Sequence, residues 1–113
     1  MEFSAYQLAA HTTSLNTSFG EGDMSRLIYP SLKLAGEAGE FAEKVGKIIR
    51  DHAGVIETAE RDALGDEPGD VLWYVAEVAT VLGLDLDRVG ERNLEKLRSR
   101  ADRGVIQGSG DTR

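Results

Sequence analysis

Residues 29–52 read YPSLKLAGEAGEFAEKVGKIIRDH, and the periodicity of this stretch decides the fold. Leu34, Ala38, Phe41, Val45 and Ile48 recur every three or four positions, which lays them along one stripe of an α-helix. Pro30 suits the first turn of that helix, where the N–H it lacks would have no intrahelical partner. His52 and Gly54 mark its end. Downstream, Val71, Leu72, Trp73, Val75, Val78, Ala79 and Leu82 leave almost no polar face, so a helix within Thr58 to Leu82 belongs at the centre of a bundle. Gly83 stops it, and Asp85 or Asp87 can cap a further helix that carries Leu86, Val89, Leu94 and Leu97 to about Arg103. Upstream, Phe3, Tyr6, Ala10 and Leu15 predict a first helix from Phe3 to about Phe19. No segment alternates with the period of a strand. The expected fold is all-α, a four-helix-bundle-like domain over residues 1–103 followed by a glycine-rich tail, 104–113.

A chain of 113 residues is long enough for one domain and too short for two. Long amphipathic helices in so short a chain leave apolar faces that another subunit can cover, so a homodimer or homotetramer is expected. The formal net charge of -7 has the wrong sign for tracking the phosphates of a nucleic acid polymer, yet it suits metal binding, since a dication reverses the sign of an acidic pocket. With no cysteine, thiolate metal sites and disulfides are excluded. No apolar run approaches membrane-spanning length and no signal-peptide succession opens the chain, so a cytoplasmic protein without a membrane partner is expected.

The acidic residues near the apolar stripes carry the chemistry. Glu37 and Glu40 stand at i and i+3 on the second helix, and Glu67 and Asp70 repeat that spacing on the third. Each pair therefore occupies neighbouring turns of one side, and two facing helices can offer four carboxylates to one space. Such a cluster has to take up protons or recruit cations, and hard Mg²⁺ or Mn²⁺ suits all-oxygen ligation. The spacing admits a plainer reading too. Lys33 with Glu37, and Glu40 with Lys44, stand at i and i+4 as surface ion pairs do. The fourth helix sets Asn93, Lys96, Arg100 and Arg103 on one face, either a clamp for phosphate oxygens or a solvated outer surface.

At these residues the chain resembles the MazG-like all-α nucleoside triphosphate pyrophosphohydrolases. The resemblance rests on the two acidic pairs with 26 residues between them, on Leu34-Ala35-Gly36 before the first pair and Val71-Leu72-Trp73-Tyr74 after the second, and on Asn93-Leu94-Glu95-Lys96-Leu97 with Arg100. It covers most of Tyr29 to Arg113. It implies that Glu37, Glu40, Glu67 and Asp70 hold Mg²⁺ and form the catalytic set, and that Asn93, Lys96 and Arg100 contact a nucleoside triphosphate, which is split into monophosphate and pyrophosphate. Phosphoribosyl-ATP is the alternative substrate that the resemblance allows, and a non-enzymatic helical dimerisation or regulatory module is the alternative that the residues allow.

Trp73 and Tyr74, beside Asp70, are candidates to stack on a nucleobase, although a Trp in an apolar helix equally suits a core or a subunit interface. Gln7 and Tyr6 are weaker candidates for a base contact. Pro68 departs from the resemblance: a proline there predicts either a kink near Leu64 or a helix that starts only around Glu67.

Overall fold

The computed structural model of the chain describes residues 1–113 as four helices, α1 (Phe3–His11), α2 (Ile28–His52), α3 (Thr58–Val81) and α4 (Leu86–Asp102). The all-α expectation holds, and α3 is the central element, packed against both α1 and α2. Ala76 and Ala79 of α3 and Leu86 of α4 form the buried cluster, with Tyr6 and Val75 against it. Small residues at 76 and 79 let the neighbouring helices approach α3 closely, which is why the core sits there.

The helix ends follow their side chains. Asp85 caps α4, accepting from the amides of Asp87 at 2.8 Å and Arg88 at 3.4 Å. Asp87 turns instead to α1, where its carboxylate accepts from the amides of Phe3 at 3.1 Å and Ser4 at 3.3 Å. An N-terminus whose own Glu2 supplies no cap is thus satisfied from 84 residues away. Gln7 seals the same corner. It donates to Thr80 Oγ1 and the Leu84 carbonyl and accepts from the Leu86 amide, so it is a joint between α1 and the α3–α4 turn with both amide hydrogens engaged.

One expectation changes and another narrows. α1 ends at His11, well short of Phe19, because Thr12 and Thr13 turn their hydroxyls back onto the carbonyls of Ala9 and Ala10, at 2.6 and 2.7 Å, and residues 14–19 leave the helix. Pro68 does not delay α3 to Glu67: the helix begins at Thr58 and runs through the proline, which removes the late start of the two alternatives.

The protomer is open. Its radius of gyration is 17.2 Å, against about 13 Å for a compact domain of this length. Of the α2 stripe only Ile48 is buried, while Ala38 and Phe41 remain exposed. α4 rests mainly on α1 and leaves Val89, Leu94 and Leu97 at the surface. After α4 the tail doubles back: Arg100 donates to the Asp111 carbonyl at 3.0 Å, and Arg103 to the carbonyl of Arg113 at 2.9 Å.

Candidate active site

The α2–α3 pairing brings the two acidic segments together. Carboxylate oxygens of Glu37, Glu67 and Asp70 all lie within 4.8 Å of one another. Glu67 is buried, Glu37 half-buried and Asp70 exposed, so the cluster runs from the helix interface out to solvent. One Glu67 oxygen is paired with the Lys44 ammonium across the two helices, and the other, Oε2, is buried with no hydrogen-bond partner. That orphan is the group a cation would satisfy. Three carboxylates at this spacing, with one buried Glu67 oxygen lacking any donor, fit a hard dication such as Mg²⁺ or Mn²⁺.

The plainer ion-pair reading divides. Lys33 does lie 3.7 Å from Glu37. Lys44, by contrast, pairs with Glu67 in place of Glu40, a partner 23 residues away that spacing along one helix does not reveal. Glu40 adjoins Glu37 and lies outside the three-residue group. Loss of hydration and the neighbouring Glu40 charge push the Glu37 carboxyl above its ordinary value; Lys33 pulls the other way and Asp70 adds to the rise. The like charges of Glu40 and Asp70 that raise Glu37 are what a bound cation would offset.

Trp73 and Tyr74 meet edge to face, with ring centroids 4.8 Å apart, and line the acidic space together with Glu37 and Asp70. Loss of hydration, followed by Tyr29, raises the Tyr74 phenol above its usual value. Trp73 points its indole N–H to Thr13 Oγ1 at 2.9 Å, which ties α3 to the segment that follows α1. The two rings also border a second cleft, enclosing about 630 Å³ with its open mouth included, between residues 13–17 and α3. Helical periodicity pointed to no such cleft, because its wall is the stretch expected to be helical.

The α4 residues lie elsewhere. Asn93 and Lys96 are exposed, Arg100 is buried beneath the tail, and none of the three borders the acidic space. Glu77 is the residue that sequence reasoning missed. Its side chain is 6 % exposed and its Oε1 lies 3.0 Å from His11 Nδ1. The signal was available as a carboxylate two helical turns beyond Asp70, on the same face as Trp73 and Tyr74.

Residues 31–105 match the MazG nucleotide pyrophosphohydrolase domain, a stretch that holds both acidic pairs and all of α4. Gene 37 protein of Mycobacterium phage L5 is 52% identical over 114 residues, covering all of both chains. No solved structure gives a significant match. With the paired acidic segments, the aromatic pair beside them and the full-length similarity all on one helical frame, the chain belongs to the MazG nucleotide pyrophosphohydrolase domain family, hydrolases of phosphoanhydride bonds.

Proposed function

We propose that the chain is a Mg²⁺-dependent nucleoside triphosphate pyrophosphohydrolase that releases nucleoside monophosphate and pyrophosphate in the cytoplasm. The observation that carries this reading is the three-carboxylate cluster with its orphaned Glu67 oxygen, open to solvent beside two aromatic rings. Glu37, Glu67 and Asp70 hold the metal, with Glu40 at its edge, and Mn²⁺ serves as a substitute. When bound, the ion supplies Lewis acidity toward phosphate oxygens and lowers the pKa of a water. Lys44 pairs with Glu67 and, with its side chain 43 % exposed, has room to swing aside when a cation takes that charge.

Glu40 orients the water that attacks the α-phosphorus. The bond from that phosphorus to the bridging oxygen breaks, and pyrophosphate leaves. Trp73 and Tyr74 hold the nucleoside so that the phosphate chain reaches the carboxylates. Preorganised charge and positioning supply the acceleration. Residues 1–103 form the catalytic unit and 104–113 an appendage on α4.

The site is completed by a second copy of the chain. Its support is the openness of the protomer: an amphipathic α2 stripe and an α4 apolar face left at the surface, with Asn93 and Lys96 outside the lining of their own acidic space. Asn93, Lys96 and, once the tail lifts, Arg100 then reach the phosphates of the partner's substrate.

The test is pyrophosphate release from ribo- and deoxyribonucleoside triphosphates and from phosphoribosyl-ATP, with Mg²⁺ or EDTA, alongside Asp70→Asn. Release that needs the metal and vanishes in the variant is the expected result. Folded wild-type protein that releases pyrophosphate from none of them sinks the reading.

A further inference from the structure

The cleft beyond Trp73 and Tyr74 has polar equipment that cleavage of a phosphate chain does not need. We infer that it takes the nucleobase and that Glu77 selects guanine; this rests on the nucleotide-hydrolase reading above. Asp70, Trp73 with Tyr74, and Glu77 succeed one another at i, i+3/i+4 and i+7 on α3, so Glu77 stands about 10 Å along the axis from the metal-facing carboxylate. A ribose and base span that interval, and the two rings shared by the acidic space and the cleft lie between its ends.

Glu77 is a buried carboxylate that lines the cleft, with one oxygen fixed by His11. An ionised carboxylate accepts about four hydrogen bonds and donates none, so its remaining lone pairs favour a ligand edge with adjacent N–H donors. Guanine alone among the common bases presents two such donors side by side, its ring N1–H and its exocyclic amino group. Uracil and thymine flank a single N–H with two carbonyl oxygens, which the carboxylate repels. Adenine and cytosine set one amino group beside an unprotonated ring nitrogen. Asn16, which also lines the cleft, has its Oδ1 occupied by Arg26 Nη2 at 2.6 Å, which leaves its amide N–H groups as donors for the guanine carbonyl. Trp73, held by Thr13, offers a ring of fixed orientation to the base face.

Trp73 is the chain's one tryptophan, so its fluorescence reports on this cleft without turnover. Wild-type protein with Mg²⁺ is titrated with GMP, AMP, CMP and UMP. GMP should bind at least about tenfold more tightly than UMP, and Glu77→Gln should weaken GMP by about tenfold or more while moving UMP by less than about twofold. The variant keeps an acceptor for His11, and circular dichroism melting verifies its fold. Tighter binding of UMP or CMP, an unchanged GMP affinity in folded Glu77→Gln, or no response of Trp73 to any nucleotide overturns the assignment. The two readings fail separately: selective GMP binding without pyrophosphate release removes the reaction, and release without base preference removes the guanine pocket.

Discussion

The acidic face between α2 and α3 and the basic strip of α4 have similar helical periodicity, and the fold treats them oppositely. Glu37, Glu67 and Asp70 converge to within 4.8 Å because two long helices press their carboxylate edges together. Asn93, Lys96 and Arg100 disperse, two into solvent and one beneath the tail, because α4 rests mainly on the short α1. The difference teaches that a shared helical face is a necessary condition for a site, while convergence is decided by what that face packs against.

The contrast breaks most visibly in catalysis. Asp70→Asn and Glu67→Gln should each lower kcat/KM for pyrophosphate release by at least about 10²-fold, the cost of removing one preorganised charge-stabilising group. Lys96→Ala, on the dispersed face, should cost about tenfold and act through KM. Equal losses from both faces would show that α4 belongs to the same site on equal terms. A sharper form mixes the two inactive or impaired partners: if a second copy completes the site, co-refolded Asp70→Asn and Lys96→Ala should be more active than the average of the separate proteins, since some hybrid sites carry both native residues. Strict averaging would confine each site to one chain.

Stability gives a smaller and opposite signature. Burial and Glu40 raise the Glu37 carboxyl in the folded state, so folding holds its proton at acid pH. The metal-free protein should therefore lose stability as pH rises from the ordinary glutamate value through the raised one, and Glu37→Gln should raise its Tm at neutral pH while abolishing Mg²⁺-induced stabilisation. Differential scanning fluorimetry with EDTA or Mg²⁺ reads both effects. A Glu37→Gln protein that melts below wild type without metal would contradict the like-charge account.

The smallest effect concerns the corner where α1 meets α4. Ser4 and then the amides of Asp87 and Arg88 hold the Asp85 carboxyl below its ordinary value. Its stabilising contribution is present above the ordinary aspartate value and disappears as pH falls through the depressed one. Asp85→Asn should accordingly flatten the acid limb of Tm against pH, and an unchanged limb would remove Asp85 from the account.

How much was legible in the sequence follows from the range of each force. The long helices α2 and α3, their stops, the acidic pairs and the position of Trp73 and Tyr74 were readable, because periodicity, capping and i to i+3 spacing are local. The end of α1 was not: apolar spacing continued past His11, but Thr12 and Thr13 turned to bond the backbone behind them. Nor could spacing show that Asp87 caps α1, that Gln7 is a joint, or that Lys44 chooses Glu67 over Glu40, since each partner lies 23 or more residues away.

By itself the sequence determined an acidic, cysteine-free, all-α chain with two carboxylate pairs on apolar helices, because composition and helical pitch need no knowledge of neighbours. Only the tertiary structure decided that three of those carboxylates meet, that one buried oxygen is left without a donor, and that Glu77 faces a cleft beside them. The physical reason is that helix packing sets distances between segments, and charge and hydration at a site depend on those distances.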